Sequence, residues 1–288
     1  MARHIYEYEV DLASDTAAAH VIRMTGRNRR VLEVGAGPGA ITKHLIHGNG
    51  CDVVAIERDR AAIERLMAIC PNVYELDLDN ESWPDELDGE DKFDVVIAAD
   101  VLEHTYNPLQ TLIGMKSLLR KDGEIILSLP HVGHSAVMGC IMNEDFEYRD
   151  CGLLDRTHIR FFGIKNINQL HHDADLSIVE AHFVVRTPAQ TEFAKTWTTL
   201  PSDVRKAIET NPFGHVYQVV SKARPRDRTT QAVDLTGLNV QRRTNYRLPV
   251  GSGDGLIKRA ARHLVRKCAS DTAKQSIRSV AARLRFRI

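Results

Sequence analysis

The chain has 288 residues, 43% of them hydrophobic and 26% charged, which suits one large domain or one domain with an appendage. No apolar run approaches the roughly 18 residues of a membrane span, the N-terminus (Met1-Ala-Arg-His-Ile-Tyr-Glu7) has no apolar signal core, and Cys51, Cys70, Cys140, Cys151 and Cys268 are scattered without a Cys-x-x-Cys pair, so reduced thiols in a cytoplasmic protein are expected. The zero net charge hides a split, because residues 221–288 carry 17 Lys/Arg against four acids while residues 1–220 carry 21 against 34; two parts with different jobs are expected.

Ser14 stands where an N-cap belongs for a helix through Ala17–Met24, and Gly26 is its stop. Strands then alternate with helices. Val31–Val34 reads as a strand and Pro38–Ile46 as its helix, ended by Gly48. Val53–Ile56 is a second strand, and Ala61–Cys70 the next helix, stopped by Pro71. Val73–Leu76 is a short third strand and Phe93–Ala98 a fourth. Leu109, Leu112, Ile113 and Leu119 recur on one helical face. Arg120-Lys-Asp-Gly123 then turns the chain into a fifth strand, Glu124–Leu129. Strands joined by helices of about ten residues imply right-handed crossovers and a parallel sheet.

After Pro130 the periodicity breaks. Residues 131–163 mix glycines, histidines, aromatics and charges. They leave the carboxyl edge of the fifth strand, where open α/β sheets bind ligands, and are expected to form a substrate cap. A helix (Asn166–His172), a strand (Ser177–Val185), a short helix after Pro201 and a last strand (Val216–Val220) close the domain. The expected divisions are a domain over 1–222, a linker over 223–255 and a basic amphipathic helical tail over 256–288.

The most informative stretch is Val31-Leu-Glu-Val-Gly-Ala-Gly-Pro-Gly39. An apolar strand runs into glycines at alternate positions, where backbone can approach a ligand with no Cβ between. The second strand ends in an acid, Glu57, placed to hold the ribose of an adenosine. Gly35-x-Gly37-x-x-Ala40 also satisfies a dinucleotide fingerprint, so a nicotinamide-dependent oxidoreductase is a rival reading. Glu33 ahead of the glycines and Pro38-Gly39 after them tilt away from it, since a pyrophosphate-binding helix wants free N–H groups there.

Five segments in order resemble the class I S-adenosylmethionine-dependent methyltransferases over about residues 6–222. They are Glu33-Val-Gly-Ala-Gly-Pro-Gly39, Val54-Ala-Ile-Glu57, Leu76-Asp-Leu-Asp79, Phe93-Asp-Val-Val-Ile-Ala-Ala-Asp-Val-Leu-Glu-His104 and Lys121-Asp-Gly-Glu-Ile-Ile-Leu-Ser-Leu-Pro130. The subgroup resembles the ubiquinone-type O-methyltransferases and, more closely, those of surface-polysaccharide pathways, which share Gly152-Leu-Leu-Asp-Arg-Thr-His-Ile-Arg-Phe-Phe162 and Tyr217-Gln-Val-Val-Ser-Lys-Ala223. The resemblance implies an α/β, doubly wound, Rossmann-like sheet of seven strands in the order 3-2-1-4-5-7-6 with strand seven antiparallel. It implies S-adenosylmethionine as cofactor, held by Glu33, Gly35, Ala36, Gly37, Gly39, Glu57, Arg58, Asp77, Leu78, Asp100 and Val101. Glu57 would accept both ribose hydroxyls, a charge-assisted contact of roughly 1.5–3 kcal/mol. Asp77 and Leu78 would meet the adenine.

A hydroxyl acceptor must lose a proton, and histidine suits that work. His104, beside Glu103, is the leading base; its bland alternative is a helix cap or a pocket wall. Asp155, Arg156 and His158 read either as a charged cluster aimed at substrate or as an Asp–Arg pair that pins the cap. His131 stands where the family usually has asparagine, and His134 follows it into the cap. No tight ligand spacing supports a metal site. Three readings of the tail stand: docking on the acidic domain of its own or a partner chain, lying on an anionic membrane surface at the inner face, or binding nucleic acid. The expected function is methyl transfer to an oxygen of a small-molecule or sugar acceptor, with no nucleic acid partner expected and a homo-oligomer allowed. A non-catalytic binding module that retains the cofactor fold is the other alternative.

Overall fold

The computed structural model describes residues 6–227 and 231–240. Strands β1 (Arg30–Val34), β2 (Asp52–Glu57), β3 (Val73–Glu75), β4 (Phe93–Ala99), β5 (Leu119–Pro130), β6 (Leu176–Val185) and β7 (Val216–Pro225) form one sheet in the order β3-β2-β1-β4-β5-β7-β6. The pairs β1–β2, β1–β4, β2–β3 and β4–β5 are parallel, and β7 runs antiparallel to both β5 and β6. This is the expected topology.

The central strands are apolar on both sides because both sides are covered. Leu32, Val34, Val54, Ile56, Val96 and Ala98 face one buried cluster, with Leu112 and Met115 of α3 (Pro108–Ser117) and Ile167 of α5 (Ile164–Asp173). Val31, Val53, Ala55, Val95 and Ile97 face the other, with Val21 and Ile22 of α1 (Ala17–Thr25). Alternation along each strand therefore divides one sheet between two cores.

Several elements depart from their expected bounds. Thr16, not Ser14, caps α1, its hydroxyl accepting from the Ala19 N–H; the Ser14 hydroxyl turns back to the Asp11 carbonyl. The helix expected from Pro38 is a run of turns, followed by a wide helical turn over His44–Gly48. Gly37 and Gly39 have φ of +55° and +88°, which delay helical winding. Helix α2 (Arg60–Leu66), capped by Asp59, ends before Cys70. In α3 the exposed Ile113 lies off the buried face, and Leu119 belongs to β5. Arg120–Gly123 forms an irregularity within β5, where the register with β4 jumps between Phe93–Leu119 and Val95–Glu124.

The cap is more regular than its sequence suggests. Helix α4 (Ser135–Met142) is capped by His134 and packs on α6 (Ala194–Thr199), and α7 (Ser202–Ile208) follows. Gly139 allows this contact, since a Cβ there would stand 3.1 Å from the Trp197 ring. Strand β7 runs on to Pro225, past the boundary expected at 222, and residues 231–240 return to α5, burying Leu235. The expected tail over 256–288 lies outside the described residues. Cys51, Cys70 and Cys140 are free and buried. No helix among the described residues is long and apolar enough to cross a membrane.

Candidate active site

The first part of the site is made by the turn after β1. Gly35 and Ala36 donate their N–H groups to the Ile56 carbonyl at 2.8 and 3.0 Å, bending the turn onto β2. Gly35 has φ +69°, and a Cβ there would stand 2.6 Å from Val101 Cγ2. At Gly37 nothing lies within 4 Å of a Cβ, so the backbone faces open space. Gly39 instead packs toward Leu66 and Ile69.

Glu57, at the end of β2, is fixed by three backbone donors. Oε2 accepts from Gly37 N–H at 2.7 Å, and Oε1 from Arg58 and Asp59 N–H at 2.8 and 2.9 Å. A carboxylate so held keeps lone pairs for a diol. Arg58 and Asp77 stand 3.8 Å apart, both largely exposed, and Leu78, half-buried, packs against the core. Asp100, at the end of β4, has φ +56°, a left-handed conformation uncommon outside glycine. Its carboxylate accepts from the Ser128 hydroxyl at 2.7 Å and from the Gln218 amide at 2.8 and 2.9 Å. Glu33 lies under the turn, buried, accepting from the Thr42 hydroxyl at 2.7 Å. Burial pushes its carboxyl up to about 8 against the pull of that bond. These residues fit an adenosyl amino-acid donor: bare backbone at Gly37 opens a cradle, and a rigid acid stands beside it.

The second part is built from side chains that are far apart in sequence. Glu103, in the tight turn Leu102–His104, is fully buried, and neither carboxylate oxygen has a hydrogen bond. Burial, then the charges of Asp100 and Asp155, push its carboxyl well above the ordinary range. His158 Nε2 stands 3.8 Å from Glu103 Oε1, and His158 Nδ1–H donates to the Leu153 carbonyl at 3.3 Å. Burial and the neighbouring His104 lower the His158 imidazole. The His104 ring meets His158 edge-on, centroids 4.8 Å apart. Its Nδ1–H is shared between the Thr157 carbonyl and hydroxyl oxygens, 3.1 Å from each, while that hydroxyl donates to Asp155 Oδ1 at 2.6 Å. Ile159 and Arg160 N–H groups bond the Glu103 carbonyl at 2.9 and 3.0 Å, tying the cap segment to this turn.

The expected Asp155–Arg156 pair is absent among the described residues. Arg156 pairs with Asp150 at 2.7 Å and is 60% exposed, while the buried Asp155 serves Thr157. His131 and His134 are framework: their ring N–H groups serve the Val216 and Arg186 carbonyls. One ligand atom each from Glu103, His104 and His158 lie within 4.8 Å of one another. The sequence also left out Tyr6 and Tyr8. Burial raises both hydroxyls; Asp155 adds to this at Tyr6, and Asp100 then Glu33 at Tyr8. Two aromatics ahead of α1 are their trace in the sequence. Ser128 and Gln218 carried no signal, being ordinary strand residues.

Residues 4–181 match a family model described as a methyltransferase domain. Among curated proteins, the chain is 34% identical over 127 residues to a tRNA U34 carboxymethyltransferase of Photobacterium profundum, covering 42% of this chain and 37% of that protein. It is 30% identical over 107 residues to the protein of the same name from Pseudomonas aeruginosa, covering 35% and 32%. The chain thus spans about a third of the length of the curated relatives it matches. A solved methyltransferase of Bacillus halodurans superposes with a TM-score of 0.51 at 16% identity, covering 73% of this chain and 99% of that one. A SAM-dependent methyltransferase of Archaeoglobus fulgidus gives 0.50 at 15% identity, covering 72% and 91%. The expectation that excluded nucleic acid is overturned, because these curated relatives act on tRNA by name. The family match also removes the nicotinamide reading: the chain belongs to the methyltransferase-domain family.

Proposed function

We propose that the chain methylates an oxygen on an RNA nucleotide, with a tRNA as the preferred substrate. The observation that carries this reading is a pair of sites at the carboxyl ends of β1, β2 and β4, joined through Asp100, whose charge acts on Glu103. At one, a backbone-fixed carboxylate stands beside an open glycine turn; at the other, imidazoles surround a buried carboxyl. S-adenosylmethionine supplies an electrophilic methyl group when bound. Glu57 holds its ribose, Asp77 and Leu78 its adenine, Gly35–Gly39 its amino-acid portion, and Asp100 and Val101 wall the methyl pocket.

A hydroxyl placed about 3 Å from the methyl needs orientation, worth roughly 7–11 kcal/mol, and loss of its proton, worth on the order of 10²–10⁴ in rate. His104 and His158 receive that proton, and Asp155 steadies His104 through Thr157. The RNA reading rests on the curated relatives and on exposed side chains. In the segments around the Glu103–His158 cluster, Tyr106, Tyr148 and Phe161 are exposed, as are Arg156 and Arg160, offering faces on which an unpaired base can stack and cations for its phosphates.

The test is incubation with methyl-labelled donor and, separately, total tRNA and an RNA-free metabolite and glycan fraction. Label in a ribonuclease-released nucleoside is expected. Label confined to the RNA-free fraction overturns the acceptor, and no label from a chain that binds S-adenosylhomocysteine overturns catalysis on both.

A further inference from the structure

We propose that Glu103, His104 and His158 form a binding site for one divalent transition-metal cation, of the zinc type, at the acceptor end. His158 gives its Nδ1–H to the Leu153 carbonyl, and His104 gives its Nδ1–H to Thr157. Each ring is thereby fixed with Nε2 as the bare nitrogen. Glu103 is fully buried, and both of its oxygens lack a donor. The His158 Nε2 lone pair and Glu103 Oε1 then face each other at 3.8 Å with nothing to share. Burying such a pair costs heavily unless a proton or a cation lies between them.

Several features favour the cation. Imidazole N–H groups held by a carbonyl are the outer-shell pattern that orients metal-binding histidines. Two imidazoles with one carboxylate are a zinc set that leaves a coordination position open. Asp100 and Asp155 lie close enough to act on the Glu103 charge, so the surroundings are anionic. Ligands about 2.1 Å from a tetrahedral cation stand roughly 3.4 Å apart. The 3.8 Å separation closes to that by a few tenths of an ångström; the widest, 4.8 Å, needs a larger shift. Asp155 and Thr157 become positioning residues, holding His104 from behind.

This site rests on the reading that the acceptor binds at this end; its cation would polarise the acceptor oxygen as a Lewis acid and the hydroxyl proton would pass to solvent, the imidazoles receiving it only in the metal-free chain. The experiment loads the full chain with zinc or cobalt(II) and measures bound metal after exhaustive dialysis, the cobalt absorption spectrum, and S-adenosylhomocysteine affinity by calorimetry. One cation per chain is expected, with visible cobalt bands of low-symmetry coordination. Glu103→Gln and His158→Ala should each lose affinity beyond the roughly 10–100-fold that removing an outer-shell partner costs, and Thr157→Val should fall within that range. Donor affinity should hold in all three. Wild-type chain without cobalt bands or retained metal overturns the site, as does equal metal affinity in His158→Ala. Should Glu103→Gln fail to fold, the wild-type spectrum and His158→Ala decide. Loss of donor binding in the wild-type chain would instead strike the function proposed above and leave the metal result standing.

Discussion

The two sites hold their acids in opposite ways. At the donor end the ligand-facing acid is fully bonded to backbone: Glu57 takes three N–H groups, two from its own turn and one from Gly37. At the acceptor end Glu103 takes none on its side chain. The first arrangement is finished before a ligand arrives. The second carries an unmet electrostatic demand and is ready to act on whatever enters. Substitutions at the first should therefore change affinity, and at the second chemistry.

The largest expected effect sits at the acceptor end. His158→Ala should lower turnover by about 10²–10⁴ with donor affinity unchanged in calorimetry; a parallel fall in donor affinity would erase the division of labour. Next, Gly35→Ala places a Cβ 2.6 Å from Val101 at positive φ. Strain and overpacking of this kind cost about 1–3 kcal/mol each, so affinity for S-adenosylhomocysteine should fall on the order of 100-fold. Glu57→Ala should weaken the same binding roughly 10–100-fold, from a charge-assisted contact of about 1.5–3 kcal/mol, while turnover at saturating donor stays near wild type. An equal loss in Glu57→Gln would show that shape rather than charge matters there.

The smallest effect concerns the floor of the donor end. Glu33 is raised by burial from 4.5 to about 8. An acid whose folded value is raised contributes stability that is complete below pH 4.5 and lost as pH climbs toward 8. The melting midpoint of the wild-type chain should decline across that window, and Glu33→Gln should flatten the decline. An unaltered pH profile would mean that Glu33 titrates normally and is not sealed under the turn.

The donor end was legible because backbone made it. Alternate glycines, an apolar run and an acid closing the next strand are local patterns, and Glu57 stands where they put it. The acceptor end was legible only as a set of residue types. His104 and His158 could be chosen, but their meeting depends on Ile159 and Arg160 bonding the Glu103 carbonyl, a tertiary contact with no sequence period. Arg156 was paired with its neighbour Asp155 by adjacency; the chain turns it to Asp150 instead. Helix α4 was missed because Ser135–Met142 is apolar almost all round, with exposed Met138, Ile141 and Met142 blurring its buried side. The wound start expected at Pro38 failed for a local reason, the two positive-φ glycines around it.

Strand β7 is the last strand of the sheet to be synthesised, yet it lies inside the sheet between β5 and β6. Until Val216 and the residues after it leave the ribosome, both neighbours present bare ladder edges to whatever else is nascent nearby. A message cut short before that point would yield a chain with every catalytic group encoded and its sheet split, a candidate for chaperone capture rather than for slow turnover. Quality control of this enzyme is thus written into the order of its strands.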